Sequence, residues 1–201
     1  MYIKKSPKFF RGKKPLQYLF NMRHDFFSTP VWHIEGAPLE LIDELYEGAY
    51  KFNVVHKDIT KRSNEGGYQT PIILWESFHP EGKNIIEEAI EECDKSVFTN
   101  FKVEGWWYNI NGKGHWNRPH THPNCDFAIV LYLTDSDRLL RFISPHHMRI
   151  KSVDYEEYKN DWSIDAKKGD ILIFPSDLIH YVLPNPREED RISISMNLQL
   201  S

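Results

Sequence analysis

Two histidines one residue apart, in Arg118-Pro119-His120-Thr121-His122-Pro123, stand just ahead of the apolar run Phe127 to Leu133. Imidazole is the commonest neutral metal ligand and suits iron, zinc, copper and nickel. On a β-strand, residues i and i+2 point to the same face, so this spacing lets His120 and His122 aim into one cavity. Two ligands rarely hold a catalytic metal alone. A third candidate, His180, lies 60 residues on, at the end of Phe174-Pro175-Ser176-Asp177-Leu178-Ile179-His180. A second chemical pair is Arg191 and Ser193, in the strictly alternating Arg191-Ile192-Ser193-Ile194-Ser195. A guanidinium beside a hydroxyl on one strand face is a ready anchor for a carboxylate. The other histidines carry weaker signals. His33 is alone on a short strand, His115 sits in a turn, and His146 and His147 follow Pro145.

These groups need rigid elements to hold them. The first is a short strand, Val31 to Ile34. From Pro38, Leu39, Ile42, Leu45, Tyr46 and Ala49 recur at helical spacing and predict a helix over about 38–52. A second helix is expected over about 82–96. Ile85, Ile86, Ala89, Ile90 and Cys93 form its apolar stripe, and Glu87, Glu88, Glu91 and Glu92 a solvated face rather than a metal site. Between them, residues 53–71 read as a long polar loop, with Gly66-Gly67-Tyr68 as a candidate cover for a site. After Phe101 the texture changes to short strands and Gly/Pro turns: 103–110, 127–134, 139–143, 162–165, 171–174, 180–183 and 191–200. Helices first and many strands after is the pattern of a mainly β, α+β fold. The expected architecture is a jelly roll, or double-stranded β-helix, with two N-terminal helices packed on one sheet.

The chain has 201 residues, enough for one domain over 31–201, preceded by a basic segment over 1–30. In that segment Lys4, Lys5, Lys8, Arg11, Lys13, Lys14 and Arg23 all precede the first acid, Asp25. A solvated arm anchored by its aromatics is the favoured reading, ahead of a contact with nucleic acid. A net charge of -4 gives the molecule as a whole no reason to seek a polyanion. Two cysteines, Cys93 and Cys125, allow one disulfide but no framework and no CxxC. No apolar run reaches membrane-spanning length, and no secretory h-region is visible, so a cytoplasmic location is expected.

Taken together, the ordered set resembles the iron(II)/2-oxoglutarate-dependent dioxygenases, which use a double-stranded β-helix. More narrowly it is similar to a 2-oxoglutarate/iron oxygenase family of marine bacteria and phages. The segments that carry this are Ser63-Asn64 with Gly67-Tyr68-Gln69, Trp107-Tyr108-Asn109, His120-Thr121-His122-Pro123, Gly169-Asp170 with Phe174-Pro175-Ser176, and Arg191 to Ser195. The resemblance covers about 63–200. It implies Fe(II) on His120, His180 and a third ligand, and 2-oxoglutarate as cosubstrate, its far carboxylate on Arg191 and Ser193. Asn109 or Tyr132 would add a hydrogen bond. It also implies O2 and an unidentified substrate, hydroxylated as 2-oxoglutarate is decarboxylated to succinate. One departure stands out. Where that superfamily places an Asp or Glu, this chain has His122. Three expectations follow: His122 is itself a ligand, or water fills the position, or Asp126 swings in as the carboxylate. A cupin-like metal-binding module without oxygenase activity is the competing function. A structural protein with a degenerate site is a third. Exposed edge strands make a homodimer plausible.

Overall fold

In the computed structural model the described residues are 28–55, 62–145 and 161–201. Residues 1–27 of the basic segment, and His146 and His147, lie outside them. Every element named here belongs to the unit Val31–Ser201. In order these are β1 (Trp32–Ile34), α1 (Leu39–Val55), β2 (Asn64–Glu65), β3 (Tyr68–Gln69), β4 (Ile73–Leu74), a 3-10 turn (Trp75–Ser77) and α2 (Pro80–Glu91). Then follow β5 (Phe101–Asn111), β6 (Trp116–His120), β7 (Phe127–Tyr132), β8 (Leu140–Ile143), β9 (Asp161–Ser163), β10 (Ile171–Pro175), β11 (His180–Val182) and β12 (Arg191–Leu200).

Two antiparallel sheets form the jelly roll. The larger runs β1-β10-β7-β12-β5-β3, with β4 also pairing with β5, and the smaller runs β2-β6-β11-β8-β9. Strand alternation decides what each face does. Ile129 and Leu131 of β7, Ile171 and Ile173 of β10, and Ile192, Ile194 and Met196 of β12 share one cluster with Leu41, Ile42, Leu45 and Ala49 of α1 and Ile86, Ala89 and Ile90 of α2. Both helices therefore pack on the outer face of the larger sheet, as expected. The seam is close. The Tyr108 hydroxyl donates to the Leu45 carbonyl at 3.0 Å, and a Cβ on Gly48 would lie 2.8 Å from that hydroxyl. Burial lifts the Tyr108 phenol to about 12.

The alternate residues face inward. Ala128, Val130, Tyr132, Leu172 and Phe174 of the larger sheet meet Leu140, Phe142 and Val182 of the smaller in a second cluster. On β5 and β12 the inward residues are polar instead: Asn109 and Asn111, then Arg191, Ser193, Ser195 and Asn197, with Trp107 among them. One part of the space between the sheets is thus dry core, and the other is lined for chemistry.

Several boundaries differ from expectation, and the helix ends differ most. Helix α1 runs to Val55, three residues past the expected end, while Pro38 supplies the carbonyl that accepts from Ile42 N. Helix α2 begins at Pro80, because proline suits the first turn and His79 Nδ1 accepts from Gly82 N, at 3.4 Å. It stops at Glu91 rather than 96, because the Asp94 carboxylate takes Ser96 N and starts a new turn. The loop over 53–71 is not structureless. Gly66, at φ 77°, turns β2 into β3. Strand β2 pairs with β6 of one sheet and β3 with β5 of the other. Tyr68 is buried in the helix-side cluster, so this hairpin bridges the sheets rather than standing free over a site. Cys93 and Cys125 are free thiols. No helix of the described residues is long and apolar enough to cross a membrane.

Candidate metal centre and its pocket

His120 closes β6 and pairs in register with His180, which opens β11. His122 is not on the strand, as the i, i+2 argument assumed. It lies two residues past the end of β6, and its backbone is held by Ser176, whose carbonyl accepts from His122 N at 2.8 Å. The shared aim survives because the turn is fixed from outside. Each of the three imidazoles offers one ligand atom, and these atoms all lie within 4.8 Å of one another.

Each Nδ1 faces an oxygen: Arg118 O for His120 at 2.7 Å, Asn197 Oδ1 for His122 at 2.9 Å and Leu178 O for His180 at 2.9 Å. Those oxygens accept, so every Nδ1 carries its proton and every Nε2 keeps a lone pair. Burial favours the neutral ring. It holds His120 below its ordinary value, and with the neighbouring charges it lowers His122 to about 4 and His180 to about 3. Three neutral, pre-oriented imidazoles fit a first-row divalent cation such as iron(II). Asp126 is not a member of this group. A turn over 121–126 breaks the parity expected of it, and its carboxylate accepts from Gln199 Nε2 and Leu200 N, both at 2.7 Å.

The three histidines open into a cavity of about 680 Å³, which Asn109, Arg191 and Ser193 also line. Arg191 is 4% exposed, its Nε has no hydrogen-bond partner, and no carboxylate of the described residues pairs with it. Burial pulls its guanidinium below the ordinary value. An uncompensated buried cation is costly, and a bound anion would relieve it. Tyr132 does not line the cavity. It is fully buried behind Arg191, whose Cζ stands 5.4 Å from the ring centre, and its hydroxyl is left without a hydrogen-bond partner. Asn109 is opposite Ser193 in register and donates to Ser195 Oγ at 3.0 Å.

The sequence assigned no role in the cavity to several of its lining residues. Asn197 supports His122 and shares the parity of Arg191 and Ser193, which was the available clue. Gln69 reaches the cavity because β3 pairs with β5, placing it opposite Asn109. Arg62 and Arg118 bring positive charge to the rim, Glu104 negative charge, and Trp107 and Ile72 apolar surface. The spare histidines are structural where they are described. His33 Nε2 meets Asp170 Oδ2 at 2.8 Å, and His115 Nδ1 accepts from Gly112 N at 3.1 Å.

Residues 105–197 match the model of a family described as "Putative 2OG-Fe(II) oxygenase". No curated protein matches the chain. Among solved structures the fold is similar to a prolyl-4-hydroxylase of Pseudomonas putida, at 14% identity and a TM-score of 0.63, over 87% of this chain and 94% of that one. It is similar to the viral collagen prolyl hydroxylase of Paramecium Bursaria Chlorella virus-1 in its 2-oxoglutarate complex, at 16% identity and a TM-score of 0.59, over 85% and 96%. It is also similar to SnoN, a non-heme α-ketoglutarate-dependent epimerase of nogalamycin biosynthesis, at 11% identity and a TM-score of 0.61, over 85% and 76%.

Proposed function

We propose that the chain is an Fe(II)- and 2-oxoglutarate-dependent oxygenase, and that it hydroxylates a small substrate. The observation that carries this is Arg191, a buried guanidinium with no carboxylate partner, lining the same cavity as three converging imidazoles. A metal-binding module alone has no use for that charge.

His120, His122 and His180 would hold the iron. Bound iron and 2-oxoglutarate supply the oxidising power of O2, with succinate and CO2 released as a substrate C–H bond is oxidised. The rest falls to the protein's residues. Asn197 holds the His122 ring by its Nδ1 proton, and backbone carbonyls do the same for the other two. Arg191 and Ser193 receive the far carboxylate of 2-oxoglutarate, and the Tyr132 ring stands behind the guanidinium. Asn109, tied to Ser195, stiffens the wall beside Ser193. Val130, Leu140 and Val182 line the cavity and keep water from that end. A donor set of neutral imidazoles leaves the full charge of the metal ion uncancelled, which favours a dianionic cosubstrate.

The test is an anaerobic Fe(II) titration with and without 2-oxoglutarate, watching for a weak visible metal-to-ligand charge-transfer band. The expected result is a band that needs both components. Arg191→Ala should keep its iron yet need about a hundredfold more 2-oxoglutarate. Tight zinc or nickel binding with no band would sink the oxygenase reading in favour of the cupin-like module. Loss of iron in Arg191→Ala would show that its role is misassigned.

A further inference from the structure

Gln69 and Ser193 are polar side chains that the fold buries and then leaves unpaired. Gln69 is 4% exposed and Ser193 2%, and both line the cavity of the three histidines. The Gln69 Oε1 is turned into the wall without a hydrogen-bond partner. Its Nε2, the end left open to the cavity, has none among the described residues either, and nor has the Ser193 hydroxyl. Buried polar groups in folded proteins are nearly always paired, so two unpaired ones on one surface point to an occupant.

Strand register places the two together. Gln69 of β3 is opposite Asn109 of β5, and Asn109 is opposite Ser193 of β12. The three form one row across the inner face of the larger sheet, while Tyr68, beside Gln69, faces the helices. Asn109 spends its amide on Ser195 Oγ, at 3.0 Å, which leaves Gln69 and Ser193 as the donors of the row. Neighbouring strands lie about 4.8 Å apart, so the backbones of Gln69 and Ser193 stand about 10 Å apart. The long glutamine side chain, one carboxylate and two hydrogen bonds of about 2.9 Å fill that gap. Arg191 stands two residues along β12 from Ser193, on the same face.

The charge and the donors do different work. Attraction to the Arg191 guanidinium falls off slowly with distance, so it draws in dicarboxylates of any length. Hydrogen bonds lose their strength within about 0.5 Å of their usual length, so the row accepts a carboxylate at one depth only. Donation from Nε2 to an anion also offsets the cost of the orphaned Oε1.

We infer that Gln69 is a cosubstrate-specificity residue: its Nε2 donates to the far carboxylate of 2-oxoglutarate and, with Ser193, selects a five-carbon 2-oxo diacid over its shorter and longer homologues. This rests on the oxygenase reading.

The test uses the iron-loaded protein under anaerobic conditions, titrated with oxaloacetate, 2-oxoglutarate and 2-oxoadipate. All three present the same 2-oxo acid end to a metal, so the charge-transfer band and calorimetry follow each. If the wild type forms no band with any of them, the oxygenase reading has failed and this inference with it. With the band present, the wild type should prefer 2-oxoglutarate to both homologues. Gln69→Met keeps the length of the side chain and removes its N–H groups. It should weaken 2-oxoglutarate about tenfold and the two homologues less than about twofold, so that most of the preference disappears. Gln69→Leu, a second apolar replacement, should read the same. Arg191→Ala should weaken all three diacids alike. The inference is overturned if the wild type shows a band but no preference, or if the Gln69 variants bind 2-oxoglutarate as tightly as the wild type. It is equally overturned if they weaken all three diacids to the same extent, which would mark a side chain that only supports the wall.

Discussion

At the scale of single residues, the candidate metal centre depends on who receives each Nδ1 proton. Two of the three acceptors are backbone carbonyls and cannot be mutated away, but Asn197 can. Asn197→Ala leaves His122 free to rotate and to choose the other tautomer. Metal affinity should fall about ten- to a hundredfold, read by competition with a chelator, with little change in thermal stability. His180→Ala, which removes the most buried of the three candidate ligands, should abolish metal binding; a variant with full iron content would exclude it as a ligand. Much of this site was legible in the sequence. His120, His180, Arg191 and Ser193 announce themselves by residue type and alternation. Asn197 does not, because asparagine is common and only its partner gives it meaning. Arg62 and Gln69 were out of reach for another reason. Their place at the cavity follows from pairing between strands distant in sequence.

At the scale of elements, the hairpin β2–β3 shows what sequence patterns miss. Each strand has two residues, too few to show any period, and each exists because a longer strand accepts it. By contrast β7, β10 and β12 were plain to read, since alternate residues on each are fully apolar. Strand β6 hid behind Arg118-Pro119, which breaks the pattern of a strand while pairing with its neighbours all the same. The hairpin is also where backbone fit is tightest. A Cβ on Gly67 would lie 2.3 Å from Asn111 Oδ1 and 2.9 Å from the Ile110 carbonyl. Gly67→Ala should therefore cost about 1–3 kcal/mol, seen as a lower midpoint in urea, with faster amide exchange across β2 and β3.

At the scale of the whole molecule, the two sheets enclose a space that is dry at one end and polar at the other, and the polar end is expensive to keep. His122 and His180 titrate at about 4 and about 3 in the fold, against an ordinary 6.5. Between those values the unfolded chain binds protons that the folded chain refuses. Metal-free protein should keep this share of its stability above pH 6.5 and lose it as the pH falls below that. Each ring contributes a slope of up to about 1.4 kcal/mol per pH unit. Urea midpoints from pH 8 to 4 would show it, and a flat profile would contradict the burial of the rings. Strand β12 concentrates the same conflict. Ile192, Ile194 and Met196 hold the helices, while Arg191, Ser193, Ser195 and Asn197 face the cavity. Every second letter of this strand thus answers to a different master, one to folding and one to chemistry. Arg191→Met should melt higher than the wild type by relieving a buried, unmatched charge, and should lose its response to 2-oxoglutarate. A laboratory selection for heat resistance alone would accept that exchange, and its winners would be sturdy and inert.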